Sequence, residues 1–271
     1  MTNETIFSID GAIWTPQRAA GGFNGPGMHG GAVGAMMTGA CELRAKELDQ
    51  DPSNPLQPLT VSLFLLRPVP RKATEVQVET LRQGGRGLFL RAEAWTDGKL
   101  QATAQTAFAR GIATPGMPEP DFKPVAPETG KPGLLTGPGH PWLGDVTEMR
   151  MTAERICWYR YDRPLFPNET PMALATSVAD WSSGTWRPDG WREPKAKWFP
   201  NVELGVRLAR PPRGPWVGFR NRQHWTQDGL GTTETELFDT DGPIGAASQC
   251  MVLTPMDGPK DTAIGSKTEP A

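Results

Sequence analysis

With 271 residues and a formal charge of −2, the chain suits one large domain or two of about 130 residues, each burying its own core. Apolar residues make up 37 % and charged residues 21 %, which excludes a disordered chain. The near-neutral balance argues against a nucleic-acid or anionic-membrane surface. No run reaches the roughly 18 apolar residues of a membrane span. Residues 1–10 lack the basic and apolar regions of a signal peptide, so a cytoplasmic protein is expected. Cys41, Cys157 and Cys250 are scattered and odd in number, which suits a reducing compartment and gives no disulfide framework. His29, His140 and His224 show no metal-ligand spacing, so neither metal nor cofactor is expected.

In chain order, short strand-like pieces cover residues 5–9 and 12–14. Helical spacing of Val33, Met36, Ala40 and Leu43 predicts a helix over Gly30–Leu48. Gly34 and Gly39 each cost about 1 kcal/mol in a helix interior, so another backbone is expected to come close there. Alternation predicts strands over 59–66, 74–81, 87–95 and 100–109, with a hairpin turn at 96–99. Residues 111–146 are rich in proline and glycine and read as a linker. A strand is expected over 147–161. A helix should run from Pro171 to about Ser183, with Thr170 as its N-cap. Four more strands are expected over 202–209, 216–225, 232–238 and 244–253, and then a polar, frayed tail.

The two halves correspond residue by residue. Arg67-Pro68 matches Arg210-Pro211 at an offset of 143, while Asp97-Gly98 matches Asp241-Gly242, and Gln105 matches Gln249, at 144. Three landmarks in register suggest a duplication. The fold class expected is α+β, with one helix and one antiparallel meander in each half. Units are expected at 1–110 and 147–256, joined by the 111–146 linker and followed by the 257–271 tail.

Some residues carry chemistry by themselves. Asp180 follows the small, apolar stretch 172–179. It is either solvated at the helix end or half-buried beside a partner, and half-burial would make it a better base near neutral pH. The repeat offset maps Asp180 onto Met36 or Met37, so one acid, and one complete site per chain, is expected. The loop holding Gly21, Gly22, Gly25, Gly27, Gly30 and Gly31 either enters the helix flexibly or approaches a ligand closely through its backbone. His29 in that loop is a candidate ligand-facing donor. Trp181, Trp186, Trp191 and Trp198 either fill a secondary core or line a ligand tunnel. Arg187, Arg192, Lys195 and Lys197 among them are either surface charge or contacts for ligand phosphates.

Several short motifs occur in a familiar order: His29-Gly30-Gly31 at the first helix, 64–68 (FLLRP), 78–87 (VETLRQGGRG), Ala179-Asp180, 208–211 (LARP) and 247–249 (ASQ). The sequence resembles the acyl-CoA thioesterase II family over residues 12–110 and 147–255. The resemblance implies a double hot-dog, in which two tandem units each wrap an antiparallel sheet around a long helix. It further implies hydrolysis of an acyl-CoA thioester by water held by an Asp, a Thr or Ser, and a Gln. Carried over, the catalytic residues are Asp180, Asn201 and Gln249, with Asn201 departing from the Thr/Ser pattern. Alternation would put Glu203 on the same strand face as Asn201. Substrate contacts are assigned to His29, Gly30, Gly31, Trp181 and Trp186. The expected partner is an acyl-CoA, with no nucleic acid and no membrane, and a homo-oligomer is left open. Three alternatives remain at this point. One is a structural or assembly protein whose sheets serve only to associate, and another is a non-catalytic acyl-CoA binder. The third is a hot-dog enoyl-CoA hydratase or dehydratase, whose Asp/His pair no spacing of the three histidines suggests.

Overall fold

The computed structural model describes residues 4–23, 26–118, 125–133, 135, 137–185, 196–198 and 200–255, with 196–198 and 254–255 described by backbone alone. Strands β1 (Phe7–Asp10) and β2 (Ile13–Pro16) lead into helix α1 (Gly30–Leu48). The first meander follows as β3 (Gln57–Leu65), β4 (Thr74–Gln83), β5 (Gly87–Thr96) and β6 (Lys99–Ala109). Next come β7 (Lys131–Pro132), β8 (Thr147–Met151) and β9 (Cys157–Tyr161), helix α2 (Pro171–Ala179), a single turn α3 (Ser182–Thr185) and β10 (Ala196–Trp198). The second meander is β11 (Asn201–Leu208), β12 (Val217–Trp225), β13 (Leu230–Asp239) and β14 (Gly242–Val252), closed by β15 (Thr254–Pro255).

The two meanders do not stand apart. They join edge to edge into one sheet in the order β1-β2-β4-β5-β6-β3-β11-β14-β13-β12-β9-β8-β7. The seam is the antiparallel pair β3–β11, centred on Ser62↔Gly205. One offset, 143, relates the ladders of the two meanders, broken only past a bulge at Thr80/Arg82 that the second half lacks. Ser62↔Gln105 answers to Gly205↔Ser248, Leu90↔Thr106 to Thr233↔Gln249, and the bulge at Ala94/Trp95 to that at Leu237/Phe238. The expected match of Gln105 with Gln249 is therefore one residue out. Gln105 corresponds to Ser248 and lies exposed on the outer face, whereas Gln249 is buried. A slip of one along a strand exchanges faces. The Asp-Gly pair slips in the same way. Asp97 and Gly98, with φ of 51° and 71°, are the two turn residues between Thr96 and Lys99. In the second half Gly242 already pairs with Asp239, so the turn residues are Thr240 and Asp241.

Two other expectations shift. The single strand over 147–161 is a hairpin of β8 and β9. It turns through Arg155 at φ 62°, with the Thr152 hydroxyl accepting from the Ile156 N–H. No glycine or proline marks that turn, so alternation reads straight through it. The linker is partly folded: β7 pairs with β8, and Trp142 and Leu143 sit in the core. Residues 119–124, and the tail from 256, lie outside the described residues. Among the cysteines, Cys41 and Cys157 are buried but Cys250 is exposed. No described helix is long and apolar enough to cross a membrane.

Helix α1 is buried on almost every side because the sheet lies against one flank and α2 against another. Small residues let the helices touch. A methyl group added at Gly31 would lie 2.5 Å from the Ser177 carbonyl oxygen, and one at Gly34 3.0 Å from the Thr176 methyl. Near the far end of α1, Glu42 reaches the start of α2. It accepts from the Thr170 hydroxyl and from the N–H groups of Met172 (3.1 Å) and Ala173 (2.9 Å). Thr170 occupies the expected N-cap position, but its own side chain does not cap the helix, because Glu42 has taken the free donors.

Burial pushes the Glu42 carboxyl up to about 7, against the pull of those donors. A raised acid stabilises the fold fully below its ordinary value of 4.5, and that contribution is lost as the pH rises through about 7. Glu42→Gln turns an amide NH2 toward donors and should cost about 1–3 kcal/mol. Urea unfolding should show a wider gap between native and variant protein at pH 5 than at pH 8.

Candidate active site

Helix α2 ends at Ala179, short of the predicted Ser183. Asp180 keeps helical angles, but the Trp181 N–H bonds back to Val178 and the axis breaks before α3. Amides from the sheet take the carbonyls that the break sets free. Gln249 Nε2 donates to Ala179 O (2.8 Å), Asp180 O (3.2 Å) and Ser182 Oγ (2.8 Å). Asn221 and Gln223 donate to Ser182 O at 2.7 and 2.8 Å. Asp180 is thereby held at the end of α2, 5 % exposed, against the first turn of α1. A methyl group on Gly30 would lie 2.5 Å from Asp180 Oδ1, so only glycine leaves room for the carboxylate.

Asn201 Nδ2 donates to Asp180 Oδ1. This contact depends on a bulge in β11. Asn201 pairs with Met251 and Glu203 with Cys250, which inserts a register shift between them. The shift turns Asn201 toward the helices and leaves Glu203 on the outer face beside Gly205 and Arg207, contrary to the alternation expected. Gln249, whose amide donor holds the Asp180 backbone carbonyl, has its Oε1 buried without a partner.

His29 is the N-cap of α1. Its Nδ1 lies 3.0 Å from the Gly31 N–H and 3.2 Å from Asp180 Oδ2. An unprotonated Nδ1 accepts from Gly31 and offers Asp180 nothing; a protonated Nδ1 donates to Asp180 instead. One proton decides between the two. The ring is fixed by Trp181 at a centroid distance of 4.4 Å, and Trp181 in turn stacks on Tyr159 and donates from its indole N–H to Tyr161.

Asp180, Asn201, Gln249, His29, Gly30 and Trp181 are thus brought together, and Gly31 lies in the same turn. Trp186, Trp191 and the basic residues Arg187, Arg192 and Lys195 fall outside the described residues, as do Gly25 and the side chains of Lys197 and Trp198. Sequence reasoning missed two features. The Asp/His pair is made by residues 151 positions apart, a distance that no local motif records. Ser182, which receives Gln249, carries no signal beyond standing close to Asp180. Met36 and Met37, onto which the repeat offset maps Asp180, are buried, yet the first half does hold an acid against the opposite helix start, namely Glu42. Its oxygens are already taken by three donors.

The sequence matches the acyl-CoA thioesterase N-terminal domain over residues 19–114 and the acyl-CoA thioesterase C-terminal domain over residues 114–253. The chain belongs to the acyl-CoA thioesterase family. Among solved structures it is similar to a hot-dog-fold protein of unknown function from Alicyclobacillus acidocaldarius (18 % identity, 93 % of this chain and 97 % of that one, TM-score 0.68). It is also similar to an acyl-CoA thioesterase II from Mycobacterium marinum (18 % identity, 85 % and 92 % covered, TM-score 0.63). A third such structure is the tesB protein of Mycobacterium avium subsp. paratuberculosis (15 % identity, 90 % and 93 % covered, TM-score 0.57). At these identities the likeness is one of fold, a double hot-dog. No curated protein matches the sequence.

Substitution at Gly30 tests the geometry around the family's candidate carboxylate. Gly30→Ala should displace Asp180, and thioester turnover should fall at least tenfold while circular dichroism and the melting transition stay close to native. Unchanged turnover would show that the carboxylate position does not matter.

Proposed function

We propose that the chain hydrolyses an acyl-CoA thioester to the free acid and CoA, using water held by Asp180, Asn201 and Gln249. The observation that carries this reading is the buried Asp180 carboxylate facing the first turn of α1, with Asn201 donating to it and Gln249 holding the Asp180 backbone carbonyl. Asp180 takes a proton from water as the oxygen attacks the carbonyl carbon. The C–S bond then breaks, and the thiolate leaves with the proton that Asp180 returns. Gln249 Oε1 and Asn201 Oδ1 are acceptors for the second water hydrogen. The opening N–H groups of α1 have no partner one turn back, and Gly30 presents one of them toward the developing oxyanion. Gly31, His29 and Trp181 shape the entrance around the thioester, with Trp186 assigned to the same task.

Thiol release from short, medium, long and aromatic acyl-CoAs tests the reading. Asp180→Asn should lower it by about a hundredfold or more, and Asn201→Ala should lower it at least tenfold by freeing the carboxylate. Undiminished release by Asp180→Asn would remove Asp180 as the base. Binding of esters with no release by the native protein would favour the non-catalytic binder.

A second reading gains from the 3.2 Å contact of His29 with Asp180, the pair that hydration of an enoyl thioester requires. Crotonyl-CoA separates the two. A hydratase consumes the conjugated double bond without releasing thiol, whereas the hydrolase releases thiol.

A further inference from the structure

The constant offset allows the two interiors to be compared position by position. On the helix-facing side of the first meander stand Val78, Leu90 and Ala92, paired as Val78↔Ala92 and Leu90↔Thr106. Their counterparts in the second meander are Asn221, Thr233 and Thr235, paired as Asn221↔Thr235 and Thr233↔Gln249. An apolar wall in one half, buried apart from the half-buried Val78, is polar in the other, where all three residues are buried. The amide donors of Asn221 and Gln249 are explained by the broken end of α2 and by α3, whose carbonyl and hydroxyl oxygens they hold. The remaining atoms are not. Asn221 Oδ1, Thr233 Oγ1, Thr235 Oγ1 and Gln249 Oε1 have neither a protein partner nor solvent. A buried polar atom without a partner costs about 1–3 kcal/mol. The first half has aliphatic side chains at the three matching positions and carries one such atom, Thr106 Oγ1, opposite Leu90.

Resting on the hydrolase reading, we infer that Asn221, Thr233 and Thr235 form the polar wall of the acyl site and select an acyl group bearing a hydroxyl. The chemistry of the wall narrows the class. With Gln249 Oε1 given to the water, the Asn221 amide oxygen asks for a donor and two threonine hydroxyls give or accept, so the group that satisfies them both donates and accepts. No cation stands among the four residues, which disfavours an acyl carboxylate. A plain alkyl chain would leave every one of these atoms unpaired, and loss of such pairing discriminates strongly between otherwise similar substrates.

The probes are 3-hydroxybutyryl-CoA against butyryl-CoA and 3-hydroxyoctanoyl-CoA against octanoyl-CoA, read as kcat/KM for thiol release. The native protein should prefer the hydroxylated member of at least one pair by tenfold or more. Thr233→Leu and Thr235→Ala install the residues of the first half, and each should reduce that ratio at least tenfold. Thr235→Ala removes only a few atoms and keeps the test valid if Thr233→Leu fails to fold. Equal use of hydroxylated and plain esters, or a preference indifferent to both substitutions, would overturn the inference. Calorimetric binding of the same pairs to Asp180→Asn protein reads the wall without turnover. Preference in binding with no hydrolysis by the native protein would keep the wall and overturn the hydrolase; hydrolysis with no preference would do the reverse.

Discussion

The closeness of α1 and α2 is the constraint from which the site follows. Gly31 and Gly34 let the two backbones approach to a separation that no larger residue permits. At that distance each helix start meets a carboxylate from the other helix, Glu42 over α2 and Asp180 over α1. A helix start is electropositive and carries free N–H donors, so a carboxylate is favoured there. What differs is how fully each carboxylate is used. Glu42 accepts from three donors and is consumed by the fold. Asp180 receives Asn201 and contacts His29, and the glycine beside it offers no side chain at all.

A symmetric frame carries this asymmetry. The seam at Ser62↔Gly205 makes the sheet continuous, and the offset of 143 holds across three ladders and one bulge. Backbone hydrogen bonding fixes that frame in both halves alike. Side chains are free to diverge on it, since a ladder is indifferent to what projects from it. The second half uses this freedom for amides and hydroxyls around the end of α2, and the first half for aliphatic packing.

Much of this is legible in the sequence. Alternation finds the strands of both meanders, and the bounds of α1 follow from helical spacing and its opening glycines. The assignment of Asp180, Asn201 and Gln249 comes from motif order rather than from periodicity; Asn201 donates to the Asp180 carboxylate and Gln249 to its backbone carbonyl. Two failures share one cause, the single-residue slip. Gln105 looks equivalent to Gln249 at an offset of 144, yet the sheet runs at 143 and puts them on opposite faces. Glu203 looks level with Asn201, yet a bulge stands between them. Periodicity of two has no memory of an inserted residue. The His29–Asp180 contact lies beyond reach for another reason, since it spans the two halves and depends on how the helices dock.

The bulge also bears on why asparagine can stand where the family pattern has a hydroxyl. Without the register shift, residue 201 would share the outer face with Glu203 and could not meet Asp180 at all. With it, Nδ2 donates to Asp180 Oδ1 and leaves Oδ1 of the same amide as an acceptor. A threonine hydroxyl that donated to the carboxylate would likewise keep its lone pairs for water. Donor toward the acid and acceptor toward the water are the two requirements of the proposed reaction at this position, and both residue types meet them. The amide adds reach and a planar, directional donor, which suits a carboxylate already pressed against Gly30. Departure from the pattern at residue 201 thus changes the atoms while preserving the hydrogen-bonding roles, provided that the bulge keeps the side chain pointed inward.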